Sequence, residues 1–131
     1  MFDRYIICEN DFKNVEEAGE TVGFQFNARL PYYRGLGISM VENLGITVNA
    51  EKFPREAIRV TLHGNTYSLD EMEQEYEDRW EFGEEGTVTV QKSGGLPAGL
   101  HNLEMDVVLR VSYLPFLLTG SDNKVLELAA S

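Results

Sequence analysis

Two histidines, one cysteine and a dense run of carboxylates are the residues of this chain best equipped for chemistry. His63 and His101 could act as general bases or metal ligands, but neither lies in an HExxH pattern or has a second histidine at ligand spacing. Both read as ordinary surface histidines. Asp70, Glu71, Glu73, Glu75, Glu77 and Asp78 crowd six carboxylates into one stretch. A calcium loop of the EF-hand type needs a central glycine and ligands at alternate positions, and the glycine is missing. A solvated helix face is the better reading. Two acids facing each other across a cleft would suit glycoside hydrolysis, yet with 22 acids in the chain any such pair is unspecific. Cys8 ends the apolar run Tyr5-Ile6-Ile7, which predicts a buried, inert thiol. A lone cysteine also excludes an internal disulfide and a cysteine zinc cluster. The glycine-bearing stretches "GFQFNARLPYYRG" and "GGLPAG" lack the lysine-serine and the following helix of a phosphate loop, and no Gly-x-Ser-x-Gly elbow occurs. These residues point away from a self-contained enzyme. No catalytic residue, metal ligand or cofactor is assigned to this chain.

Adhesive residues stand out instead. Pro31, Tyr32, Tyr33, Arg34 and Gly35 follow directly on an alternating strand, and Tyr113, Leu114, Pro115 and Phe116 follow another. Tyrosine, phenylalanine and arginine are enriched in interface cores because they combine large contact area with hydrogen bonding at the edge. Both clusters are candidate contacts to a partner or to the rim of a pocket. The plainer alternative is that the rings cap the open ends of the fold. Trp80, in a short strand pattern, reads as core.

Strands must position these clusters. Residues 21–30 alternate apolar and polar with a period of two, as do 46–48, 58–62, 87–91 and the long stretch 103–113. Shorter candidates lie at 5–8, 38–41, 79–82 and 124–128. His63-Gly64-Asn65 marks a tight hairpin, and residues 93–99 a flexible loop. Acids near its start and strong helix formers predict one short surface helix over 70–77. The pattern is that of an all-β, antiparallel sandwich of jelly-roll or immunoglobulin-like type, forming a single domain over 1–131.

At 131 residues and 43% apolar content the chain can bury a core of its own. A net charge of −11 repels phosphate backbones and anionic lipid, which removes nucleic acid and membrane surfaces from the expected partners. No apolar run is long enough to span a bilayer. The start "MFDRYIICEN" lacks the basic and apolar segments of a secretion signal, so a cytoplasmic location is expected.

Several stretches together resemble the small (β) subunit of bacterial C-glycoside deglycosidases. They are "YIICENDF" (5–12), "RLPYYRG" (29–35), "FPREAIRVTLHGNTYSLDEM" (53–72), "RWEFGEEG" (79–86) and "GLPAGLHNLEMDVVLRVSYLPF" (95–116). None is a catalytic signature, and the resemblance rests on their order over nearly the whole chain. Where the family pattern carries a proline after the tyrosine motif, this chain reads Leu36-Gly37-Ile38. The resemblance implies an accessory β-sandwich bound to a large TIM-barrel α subunit, with room for a higher-order heteromer. It places the divalent metal, manganese, and the general base on the large subunit. The implied reaction is cleavage of the carbon–carbon bond of a 3-oxo-C-glycoside, with a flavonoid-type aglycone, through deprotonation at C2 and elimination. On that reading Pro31, Tyr32, Tyr33, Arg34 and Gly35 reach across to the large subunit, with Tyr113 to Phe116 beside them. Two other readings compete. One is a stand-alone carbohydrate-binding module stacking sugars on Tyr32, Tyr33 or Trp80, and the other is a structural immunoglobulin-like domain with no ligand.

Overall fold

In the computed structural model, which describes residues 6–8, 12–30, 36–81, 83–110 and 117–128, the chain forms two antiparallel sheets packed face to face. The five-stranded sheet runs β1 (Lys13–Glu17), β2 (Glu20–Ala28), β9 (Gly86–Gln91), β6 (Ile58–Leu62), β7 (Asn65–Ser68). The four-stranded sheet runs β11 (Leu118–Leu128), β10 (Gly99–Leu109), β4 (Val41–Val48), β5 (Glu51–Lys52). A separate two-stranded ladder joins β3 (Leu36–Gly37) to β8 (Arg79–Trp80).

The period-two pattern decides which side chains meet in the middle. Phe24, Phe26, Val88, Val90, Ile58 and Val60 of one sheet face Leu44, Ile46, Leu103, Met105 and Val107 of the other, all almost fully buried. Phe24 and Phe53 meet edge to face across 5.5 Å, a geometry that ring quadrupoles favour. The hairpin between β6 and β7 turns on His63 and Gly64, both with positive φ (52° and 80°), the twist that suits a two-residue hairpin.

Several expectations are corrected. Residues 38–40 are a 3-10 turn rather than strand, and β4 then runs unbroken through Gly45 to join what read as a separate strand at 46–48. The long strand β10 begins four residues nearer the N-terminus than the 103–113 stretch suggested and runs 99–109, residues 111–113 lying outside the described residues. β11 extends back to Leu118, because Gly120, Ser121 and Asp122, turn formers by type, pair in register with Val107, Asp106 and Met105. The helix, α1 (Leu69–Glu73), is shorter than 70–77. A capping box fixes its start, Ser68 accepting from the Glu71 N–H and Glu71 from the Ser68 N–H. Beyond it the Glu75 carboxylate takes the N–H groups of Glu77 and Asp78, which bends the chain away from helix.

The N-terminal segment ties the sheets together at one edge. Ile7 pairs with Ala28 of β2. Its N–H donates to Asp122 (2.9 Å) and its carbonyl accepts from Lys124 (2.5 Å), so two side chains of β11 stand where a further strand would pair.

Candidate functional site

Both adhesive clusters, Pro31 to Gly35 and Tyr113 to Phe116, lie outside the described residues. The residues that flank them are described, and they share one end of the sandwich. β2 ends at Ala28, and Leu30 beyond it is buried in the core. Where the chain resumes, Leu36 and Gly37 pair with Trp80 and Arg79, and the Ile38 N–H donates to the Asp78 carbonyl. The register of β10 puts Leu109 between Val41 and Leu118, the first residues of β4 and β11. The Arg110 N–H then donates to the Met40 carbonyl at 2.7 Å. Its guanidinium grips the Glu42 carboxylate with two bonds, at 3.0 and 3.1 Å. Those hydrogen bonds hold the Glu42 carboxyl below its ordinary range and push Arg110 higher.

Trp80 is the post on which this end is built. It is fully buried, and its indole N–H donates to the Glu84 carbonyl at 2.7 Å. Gly86 leaves room for the ring, since a Cβ there would stand 2.9 Å from it. A residue so enclosed cannot stack a sugar, which removes Trp80 as a platform for the carbohydrate-binding reading. The open cavity of about 680 Å³ on the outer face of the five-stranded sheet, lined by Thr61, Thr66, Thr89, Gln91 and Arg59 among others, has no aromatic wall either.

Asp70, Glu71, Glu73, Glu75 and Asp78 of the acidic run are engaged by their own chain. Arg55 bonds Asp70 and Glu73 and reaches Asn43 on β4, pinning the helix to the four-stranded sheet. His63 lies between Asp78, 2.7 Å from Nδ1, and Glu84, 2.6 Å from Nε2. The Tyr67 hydroxyl donates to the other oxygen of Asp78 at 2.8 Å. Burial pushes the Asp78 carboxyl up, but the bonds from Tyr67 and His63 outweigh it and leave it below its ordinary value. The same hydrogen bond pushes the Tyr67 phenol up to about 12. His63 is exposed, as the sequence suggested, but it is held between two carboxylates that no local pattern announced.

His101 is not a surface histidine at all. It is 5% exposed, on the inner face of β10. Nε2 lies 2.6 Å from the Pro97 carbonyl and must donate, so Nδ1 accepts from the Asn49 amide at 2.8 Å. That fixes a neutral ring, set edge-on to Phe12. The signal was available, because His101 shares its parity with Leu103, Met105 and Val107. Cys8 is buried as its apolar run predicted, and burial pushes its thiol up to about 11. Glu85 beside it also accepts from Asn27 and lies 3.7 Å from Arg29. A protonated thiol is a poor nucleophile. Among the described residues no three His, Cys, Asp or Glu side chains stand close enough to hold a metal, so no step is derived through a metal on this chain.

The sequence profile of the family described as C-glycoside deglycosidase beta subunit matches residues 2–113. The chain belongs to that family. The match takes in 31–35 and ends at Tyr113, before the rest of the second cluster. This beta-subunit chain is 31% identical over 86% of its length to a C-glycoside deglycosidase beta subunit of Eubacterium cellulosolvens, covering 78% of that protein. It is 32% identical to one from Arthrobacter globiformis, with 79% of this chain and 77% of the relative aligned. A 3'-dehydrocarminate deglycosidase beta subunit of Microbacterium is 31% identical, with 88% and 83% aligned. A beta subunit implies a partner subunit. Among the described residues no helix is long and apolar enough to cross a membrane.

Proposed function

We propose that this chain is the accessory subunit of a cytoplasmic C-glycoside deglycosidase, bound to a large TIM-barrel α subunit that carries the chemistry. The observation that carries the reading is the family match over residues 2–113. The substrate class is a 3-oxo-C-glycoside with a flavonoid-type aglycone. The name of the Microbacterium relative specifies a 3'-dehydro substrate, the oxidation state that the reaction needs. The ketone at C3 acidifies the C2 proton. A base on the large subunit removes it, the electron pair forms the C1–C2 double bond, and the C1–aryl bond breaks as the aryl carbon takes up a proton. A divalent metal such as manganese, held by the large subunit, would supply polarisation of the ketone.

This chain contributes surface and rigidity. Its contacts are Tyr32, Tyr33 and Arg34, set between Pro31 and Gly35, with Tyr113, Leu114, Pro115 and Phe116 as the second patch. What supports this placement is that the residues flanking both clusters are clamped at one end of the sandwich by Trp80, Arg110 and Glu42. The heterodimer has room to assemble further.

Titrating the large subunit with this chain on a sizing column tests the reading. Tyr33→Ala or Arg34→Ala is expected to weaken assembly by about tenfold or more while leaving the isolated chain's melting temperature unchanged. Unchanged assembly with both residues replaced contradicts it. A lowered melting temperature with assembly intact would mean that the rings pack back onto the sheet.

A further inference from the structure

The turn between β6 and β7 aims His63 at two carboxylates from two other parts of the chain. Asp78 Oδ1 stands 2.7 Å from Nδ1 and Glu84 Oε2 stands 2.6 Å from Nε2. An ionised carboxylate only accepts, and a neutral imidazole has a single N–H, so the two contacts together call for the doubly protonated ring. The two partners frame β8. Asp78 precedes it and its carbonyl takes the Ile38 N–H, while Glu84 follows it and its carbonyl takes the Trp80 indole N–H.

We propose that His63 is a pH-sensitive latch: protonated, it clamps the loops on both sides of Trp80, and on losing its proton it releases Glu84 and loosens the indole's hydrogen bond. Glu84 is the arm that lets go for a geometric reason. Asp78 has two further donors, the Tyr67 hydroxyl and the Arg79 N–H, where Glu84 has one, the Glu81 N–H, and Asp78 is the less exposed of the two, 14% against 26%. A neutral ring keeps its N–H on Asp78. That turns the Nε2 lone pair onto the Glu84 oxygen at 2.6 Å, where two acceptors repel. Besides these two carboxylates, the neutral Tyr67 phenol on β7 stands behind Asp78. Glu75, at the end of α1, holds the Glu77 and Asp78 N–H groups. The Arg79 guanidinium is paired with Glu81 at 2.9 Å. The hydrogen bond donated to Asp78 and then the charge of Glu84 raise the ring's affinity for its proton above the ordinary value of 6.5. With the folded value raised, the latch's contribution is complete below about 6.5 and is lost as pH rises through the folded value.

Trp80 is the only tryptophan, so its emission reads the latch directly. The experiment follows that emission and the His63 ring signals by NMR in the whole chain, from about pH 5 to 9. Both are expected to change with one shared midpoint above 6.5, with the far-ultraviolet sheet signal constant. His63→Gln is expected to make the emission pH-independent. Glu84→Gln, which keeps the backbone carbonyl, is expected to move the midpoint down and keeps the test open if the first variant fails to fold. A titrating ring with flat Trp80 emission overturns the proposal. So does a midpoint at or below 6.5, or loss of the sheet signal over the same range. The readout needs this chain alone, so its outcome is separate from that of the assembly proposed above.

Discussion

Single residues at this end of the fold are fixed by contacts that leave little slack. The Trp80 ring and Leu62 both close on Gly86, and a Cβ at position 86 would come within 2.9 Å of the ring and 3.1 Å of Leu62. Crowding of that kind in a packed core costs about 1–3 kcal/mol. Gly86→Ala is therefore expected to lower stability by that amount in chemical denaturation, with a red shift in Trp80 emission. An unchanged midpoint would mean that the ring has room to move. The sequence already placed Trp80 in the core and Cys8 as an inert thiol, because an apolar neighbourhood along the chain is enough for both. It misplaced His101 and left the contacts of His63 unseen, for different reasons. His101 was legible from strand parity, whereas the clamp on His63 joins residues 15 and 21 positions apart and no local pattern announces such a contact.

At the scale of elements, alternation marked the strands that are half-buried and missed β1 and the first half of β11 at the sheet edges. β6 appears over Ile58–Leu62 as expected, because both its neighbours and its inner face are satisfied by the pattern itself. β1 reads "KNVEE" and half of β11 reads "TGSDN", neither of which has strand composition. Their pairing comes from the ladder offered by β2 and β10. β11 also does a job that its composition hides. Asp122 is only 6% exposed and accepts the Ile7 N–H, while Lys124 donates to the Ile7 carbonyl. Removing the carboxylate strands a part-buried N–H that now bonds a charged group, a loss of about 1.5–3 kcal/mol. Asp122→Ala is expected to cost that much and to speed amide exchange at Ile7 and Ala28. Exchange unchanged at both would show that the segment is held by its apolar contacts alone.

For the whole molecule, the charge of −11 turned nucleic acid and anionic lipid away as partners, and much of the acidic run is spent internally, on Arg55, on His63 and on backbone N–H groups. The end we propose for a partner is the one where the described strands that flank the two aromatic clusters stop. The family was legible from the order of short stretches along the chain, and the all-β class from alternation. The catalytic role was not, because the proposal places the groups that break the bond on another chain. The most direct test is release of aglycone from a 3-oxo-C-glucoside with manganese present, comparing this chain, the large TIM-barrel subunit proposed as its partner, and the two mixed. The account predicts full release only in the mixture. Release by the large subunit alone at the same rate, or none in the mixture, would contradict it.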